Sequence, residues 1–121
     1  MINIDEFKKI EIVVGEILSA EKIPETEKLL KLQVSFGPLG ISGEEEREIK
    51  NEIRQVVSGI SEYFSDPNAL IGKKCMFVSN LEPRTIRGFE SQGMILAVTS
   101  NDGKFSLLVP ENDVPAGAKA R

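Results

Sequence analysis

Apolar and polar residues alternate along much of this chain, in the two-residue period of a half-buried β-strand. The clearest case runs from residue 30 to residue 36, where apolar residues fill every even position. This alternation predicts a strand that leaves Lys31 on its open face. Residues 10–18 are rich in β-branched side chains and include Gly15, so they predict a strand with a bulge or a tight bend. A strand that bends in this way suits a small barrel.

Further elements are predicted in the second half of the chain. Three shorter apolar runs predict strands, at residues 74–79, 94–99 and 105–109. An Asn-Asp-Gly sequence at residues 101–103 predicts a hairpin turn before the last of them. Residues 47–57 fit a helical stripe and also a strand, because their apolar positions are compatible with both periods. Residues 65–72 predict a short capped helix with Pro67 near its first position.

Together these elements predict an all-β fold. Five or six short strands with one short helix favour a small closed β-barrel. Neither an internal repeat nor a linker divides the chain, so residues 1–121 are expected to form a single domain. Three glycines and a proline in residues 36–43 precede the acidic run 44–46, so the stretch from about 38 to 50 is expected to be an inserted acidic loop or hairpin extension.

The composition excludes several kinds of chemistry. The chain has no histidine, so neither a Ser-His-Asp triad nor a Cys-His pair can be built. Its one cysteine, Cys75, cannot form an internal disulfide, and no second cysteine or histidine is present to complete a zinc site with nitrogen and sulfur ligands. Lys73 and Lys74 beside Cys75 give only weak support for an activated thiol. We therefore expect neither an enzyme nor a cofactor.

Charge is distributed unevenly along the chain. The formal net charge is -4, which does not suggest a nucleic-acid partner. Residues 1–53 hold seven basic and twelve acidic residues, whereas residues 54–94 hold five basic and four acidic ones. An anionic partner would therefore have to bind locally, in the middle segment. Because no apolar run is long enough to cross a membrane and the first residues lack a secretory pattern, we expect a soluble, cytoplasmic protein.

The most specific pattern lies in the long polar connection that follows residue 79. It reads Asn-Leu-x-Pro, a basic residue, a glycine and then Ser-x-Gly-Met, at Asn80, Leu81, Pro83, Arg84, Gly88, Ser91, Gly93 and Met94. This pattern resembles the tRNA-binding domain at the C-terminus of many methionyl-tRNA synthetases, in free tRNA-binding proteins and in the chaperone CsaA. Matches continue over nearly the whole chain, among them Val14-Gly15, Glu27-Lys28-Leu29, Val57-Ser58-Gly59-Ile60 and Gly117.

The resemblance implies an OB-fold, a five-stranded barrel with a C-terminal β extension, usually paired into a homodimer. It also implies a non-catalytic module that binds the outer corner of tRNA without reading the anticodon, free-standing or with a methionyl-tRNA synthetase catalytic chain as partner. The alternative function is that of a CsaA-like chaperone, which would bind peptides in an apolar groove between two copies. The start at Met1 and the end soon after Gly117 fit a free-standing protein, and a domain cut from a synthetase would look the same.

The resemblance and the residue chemistry together select eight candidate tRNA contacts: Lys31, Ser58, Ser79, Asn80, Arg84, Arg87, Ser91 and Met94. Arginine binds phosphate oxygens through two parallel hydrogen bonds, so Arg84 and Arg87 are the expected phosphate ligands. The serines and Asn80 offer short donors and acceptors. Three of the eight have structural alternatives, since Asn80 and Ser58 could bond to backbone groups and Met94 could pack in the core.

Three departures from the family pattern weaken the expected affinity for tRNA. Val13 stands where the family usually has a basic residue, and the loop at residues 23–29 lacks the usual histidine. The predicted loop at about 38–50 holds four acidic and two basic residues, which would repel phosphate at close range. We therefore expect weaker binding than in basic relatives, or a loop that points away from the site. Net acidity, Val13 and the acidic loop favour the chaperone alternative, whereas the intact motif from Arg84 to Met94 favours tRNA.

Overall fold

A computed structural model describes residues 1–38 and 51–121. A short helix, α1, spans Ile4–Phe7, and two 3₁₀ helices span Ser61–Tyr63 and Pro67–Leu70. The described strands are β1 Ile12–Lys22, β2 Leu30–Pro38, β3 Asn51–Ser58, β4 Lys74–Val78, β5 Arg84–Ile86, β6 Phe89–Ser91, β7 Met94–Ile95, β8 Ala97–Thr99 and β9 Phe105–Leu107. The predicted loop at about 38–50 lies outside the described residues, except for Pro38 at the end of β2.

Five antiparallel strands form the central sheet, in the order β3-β2-β1-β4-β7. The sheet curls into an OB-like half-barrel, and the N–H of Gln92, two residues before β7, donates to the carbonyl of Gln55 in β3 at 2.8 Å. Two small hairpins are added to it: β5–β6 lies between β4 and β7 along the chain, and β8–β9 comes after β7. A bridge between Val13 and Lys119 adds the C-terminal tail to β1. The predicted all-β, OB-type fold with a C-terminal β extension is confirmed.

Alternation along β2 places its apolar residues in the core, as the sequence predicts. The side chains of Leu30, Leu32 and Val34 are fully buried, while Lys31 is half-buried on the opposite face. The ambiguity of residues 47–57 is resolved in favour of a strand from Asn51 onward. Pairing with β2 decides this, because Leu32 lies opposite Val56 and both side chains then enter the core.

Gly15 has a different role from the one predicted. The register irregularity of β1 lies between Ile17 and Ser19, two residues further along the strand. A Cβ atom on Gly15 would lie 2.6 Å from Cγ1 of Val34 and 2.8 Å from Cδ1 of Phe77. Glycine is therefore required here because the core leaves no room for a side chain.

The remaining differences concern short elements. The predicted strand at residues 94–99 is divided into β7 and β8, and the connection before it contains the hairpin β5–β6. The predicted helix at residues 65–72 is the 3₁₀ helix Pro67–Leu70, whose first turn is capped by the Asp66 side chain. Helix α1 was not predicted; Asn3 and Glu6 form a capping box at its start.

Candidate functional site

The hairpin formed by β5 and β6, Arg84–Ser91, carries both predicted arginines and is called here the arginine hairpin. Its turn holds Arg87 and Gly88 with φ angles of 52° and 83°. Two successive residues with positive φ are typical of a type I′ turn, in which glycine is favoured. Both Arg84 and Arg87 are exposed, and neither forms an ion pair with any residue in the described ranges. Their guanidinium groups are therefore available to an anionic ligand.

Lys31 connects the arginine hairpin with the sheet. Its Nζ lies 4.8 Å from the ring centroid of Phe89 in β6, a cation–π contact. The same Nζ lies 3.6 Å from Oε2 of Glu21, and the Lys31 side chain is 25% exposed. Lys31 is therefore on the same surface as the arginine hairpin, although Glu21 compensates part of its charge.

Ser91 attaches the end of the arginine hairpin to β3. Its side chain is buried, and its hydroxyl donates to the Gly93 carbonyl and accepts the Val57 N–H, both at 3.0 Å. The neighbouring Gln92 accepts the Gln55 N–H through its side-chain oxygen at 3.1 Å. The Ser91 hydroxyl is thus engaged inside the protein, where it holds the hairpin on the sheet.

Arg54 of β3 holds both ends of residues 80–91, the segment that contains the arginine hairpin. Its Nη1 donates to the carbonyl oxygens of Ser79 at 2.5 Å and Gln92 at 3.4 Å, which flank residues 80–91. Its Nε donates to Oε2 of Glu52 at 2.7 Å. Sequence reasoning did not select Arg54 as a site residue. The sequence offered one indication of its role, since Arg54 lies close to Ile53, Val56 and Val57. That Arg54 faces the core side of the sheet follows only once β3 is a strand paired with β2.

Ser79 and Asn80 form hydrogen bonds to the N-terminal segment. The buried Ser79 hydroxyl donates to Oε1 of Glu11 at 3.1 Å. The Asn80 amide oxygen accepts the Glu11 N–H at 2.8 Å, and its amide nitrogen donates to the Lys9 carbonyl at 2.6 Å. The Asn80 side chain therefore clamps the residues that connect α1 with β1 to the stretch that leads into the arginine hairpin.

The last two predicted residues lie at strand ends. Ser58 is half-buried at the end of β3, opposite Leu30 and next to the pair formed by Val57 and Lys31. Met94 begins β7 opposite Val78, and 46% of its surface is exposed. It is therefore placed at the surface, unlike a core methionine.

Cys75 lacks the features of an activated thiol, and the described residues hold no group of metal ligands. Cys75 is fully buried, and this burial raises the pKa of its thiol, with Lys73 acting weakly in the opposite direction. A thiol with a raised pKa is a poor nucleophile. Within residues 1–38 and 51–121, no three His, Cys, Asp or Glu side chains are grouped as metal ligands. No helix in those ranges has the length and apolar character needed to span a membrane.

Comparison with known proteins links this geometry to a family. Residues 12–119 match the family described as "Putative tRNA binding domain". The chain is 48% identical over 120 residues to a methionine–tRNA ligase of Methanospirillum hungatei, covering 99% of this chain and 16% of that protein. The chain thus spans about a sixth of the length of the curated relatives it matches.

Solved structures give the same result for the fold. A MetRS related protein from Pyrococcus horikoshii has a TM-score of 0.82 and 40% identity, covering 100% of this chain and 98% of that one. A CsaA chaperone protein from Picrophilus torridus has a TM-score of 0.78 and 29% identity, with 100% of both chains covered. The chain therefore belongs to the tRNA-binding domain family, to which regions of methionyl-tRNA synthetases and the CsaA chaperones are related.

Proposed function

We propose that the chain is a non-catalytic tRNA-binding module that grips tRNA with the arginine hairpin and the adjoining face of β2. The observation that carries this proposal is the exposure of Arg84 and Arg87, free of ion pairs within the described residues, on a hairpin bonded to the sheet. The planar fork of a guanidinium group forms two hydrogen bonds to a phosphate, so it loses less side-chain freedom per hydrogen bond than an ammonium group.

The eight predicted residues are proposed either to bind phosphate groups or to contact other parts of the tRNA. Arg84, Arg87 and Lys31 bind phosphate groups, and Met94 contacts the sugars or bases beside them. Ser58, Ser79, Asn80 and Ser91 are also proposed as contacts. For Ser79, Asn80 and Ser91 the contact would involve lone pairs or protons left over from the internal hydrogen bonds. Because phosphate contacts carry no sequence information, such a site binds tRNA without reading the anticodon.

The proposed partners follow from this role. A second copy of the chain would double the number of phosphate contacts, and a methionyl-tRNA synthetase catalytic chain would benefit from the raised local concentration of tRNA. Both partners would be met in the cytoplasm. The acidic surroundings limit affinity, since Glu82 and Glu90 are exposed near the arginines.

The test is a titration of unfractionated tRNA into the protein at several salt concentrations. An equally charged polyanion without bases serves as the control ligand. We expect saturable binding that weakens with salt and exceeds the control. For the double variant Arg84→Ala, Arg87→Ala, the slope of log K against log[salt] should become shallower by roughly 1.4 to 1.8, from 0.7 to 0.9 per lost phosphate contact.

A control variant removes a positive charge away from the hairpin, one charge against the two that the double variant loses. Lys104→Ala removes a cation that is exposed in the turn before β9 and should leave the slope unchanged. Equal slopes for the hairpin variant and the wild-type protein, with circular dichroism showing both folded, would remove the two arginines from the site.

A second candidate function is peptide binding in a groove completed by a second copy. It is favoured by a groove of about 230 Å³ whose lining includes the apolar residues Ile4, Phe7, Ile10 and Ile12, beside charged ones such as Lys8, Glu11 and Lys119. Ile4 is 63% and Ile10 46% exposed. Apolar peptide binding would change little with salt, in contrast to phosphate binding. Sedimentation at micromolar concentration tests the pairing itself: a mass near 13.3 kDa would contradict a homodimer.

A further inference from the structure

A second cleft lies away from the arginine hairpin, between the first 3₁₀ helix and β9. It has a volume of about 340 Å³, within the range of small-ligand sites. Tyr63, Phe64, Phe105 and Leu107 supply its apolar lining, and Lys73 lies at its rim. The arginine hairpin contributes no residue to this lining.

Tyr63 presents an open aromatic face in this cleft. Its ring is stacked on Phe105 with a centroid distance of 3.9 Å and an interplanar angle of 5°. Phe64 meets Phe105 edge-on at 5.9 Å and 82°, which holds the Phe105 ring in place. Phe105 covers one face of Tyr63, yet Tyr63 is 41% exposed. The other face is therefore free to extend the stack by one more planar ring.

Lys73 adds a cation beside the stacked rings. Its side chain is exposed, and it forms no ion pair with another residue in the described part of the chain. Its backbone is fixed, since its N–H donates to Leu70 and its carbonyl accepts from Ile17. An aromatic face next to an unpaired cation matches a nucleotide, whose base stacks while its phosphate binds the ammonium group.

We propose that Tyr63 and Lys73 form a second RNA-binding site, which holds one unpaired nucleotide with its base stacked on Tyr63. The proposal rests on the proposed tRNA-binding function. Tyr63 follows Ser58 by five residues, so at 3.8 Å per residue their Cα atoms lie within about 19 Å. A short stretch of single-stranded RNA can bridge that distance, so one tRNA could occupy both sites.

The composition provides a direct measurement. Tyr63 is the single tyrosine and the chain has no tryptophan, so tyrosine fluorescence reports on this ring alone. The probe is hexa-adenylate RNA, compared with an abasic ribose-phosphate hexamer of equal charge. Hexa-adenylate should quench Tyr63 emission with saturation, and the abasic hexamer should not. N-acetyltyrosinamide in the same solutions corrects for light absorbed by the RNA.

Two variants separate the stacking contribution from the charge contribution. Tyr63→Leu should weaken hexa-adenylate binding, measured by anisotropy of labelled RNA, roughly five- to hundredfold, while Tyr63→Phe should retain it. Lys73→Gln should make the salt slope shallower by roughly 0.7. Because Tyr63 and Lys73 are both exposed, the variants are expected to stay folded, which circular dichroism checks.

The outcomes distinguish this site from the arginine hairpin. The Arg84→Ala, Arg87→Ala protein should bind tRNA weakly and still show quenching by hexa-adenylate. If tRNA binds but hexa-adenylate leaves Tyr63 emission unchanged, this site is refuted and the hairpin stands. If quenching occurs without any binding of tRNA, the tRNA-binding proposal fails and the nucleotide site stands. Quenching by an apolar acidic hexapeptide and not by hexa-adenylate would assign the cleft to peptides and overturn the proposal.

Discussion

Replacing Arg54 by lysine tests whether this side chain acts through its geometry or through its charge. The guanidinium group of Arg54 reaches the Ser79 carbonyl through Nη1 and the Glu52 carboxylate through Nε and Nη2. A lysine keeps the positive charge but has one nitrogen, which cannot occupy both positions. Arg54→Lys should therefore release one end of the segment that carries the arginine hairpin.

The expected loss of stability follows from these contacts. A hydrogen bond to a charged group contributes about 1.5 to 3 kcal/mol, and partial solvent exposure reduces this value. Since the Arg54 side chain is 27% exposed, we expect a loss of about 1 to 2 kcal/mol. For 121 residues the unfolding entropy is roughly 250 cal/mol/K, so Tm should fall by about 4 to 8 °C.

Thermal unfolding followed by circular dichroism measures this change. Arg84→Lys is the matched control, because Arg84 is exposed and forms no hydrogen bond or ion pair through its side chain within the described residues. Its Tm should stay within about 1 °C of the wild-type value. Affinity for tRNA should also fall in Arg54→Lys at unchanged net charge, because the hairpin is less firmly held.

An unchanged Tm for Arg54→Lys, with a cooperative transition, would refute the reasoning. It would mean that the fork geometry of Arg54 adds no stability beyond what a single ammonium group provides. A lower Tm with unchanged tRNA affinity would separate the two roles and show that the hairpin keeps its binding geometry without this anchor.

Three further predictions concern the clamp and the core. Asn80→Ala should speed hydrogen exchange at the Glu11 N–H and destabilise the protein by about 1 to 2 kcal/mol, because both amide hydrogen bonds are lost; unchanged exchange would contradict the clamp. Gly15→Ala should lower the free energy of unfolding, measured with urea, by about 1 to 3 kcal/mol, because the new methyl group meets Val34 and Phe77. A midpoint equal to that of the wild-type protein would show that these core side chains can move aside. Cys75 should resist Ellman's reagent in the folded protein and react on unfolding, because burial shields the thiol and raises its pKa; fast reaction of the folded protein would show that β4 opens readily.

Local patterns were sufficient for the long strands and insufficient for the arginine hairpin. The alternation along β2 predicted that these residues form a strand and that Lys31 lies on the face opposite the core. Strands β5 and β6 have three residues each, which is too short for a period to be recognised. The hairpin is instead stabilised by partners distant in sequence, such as Val57, which lies 34 residues before Ser91.

The same limit applies to the predicted site residues. Their chemical types were readable from the family pattern, but their hydrogen-bond partners were not. Asn80 bonds to residues 69 and 71 positions away, and Arg54 to a carbonyl 25 positions away. That any of the eight residues contacts tRNA stays a prediction.

The sequence by itself determined the β architecture, the family and the presence of two arginines, Arg84 and Arg87, in one polar segment. It could do so because strand periodicity and a spaced pattern of residue types are properties of consecutive positions. Only the tertiary structure decided that Ser79 and Asn80 fasten the N-terminal segment, that Arg54 secures the hairpin and that Tyr63 stacks on Phe105. Those contacts depend on how the curled sheet brings distant segments within a few ångströms, and no local pattern encodes that distance.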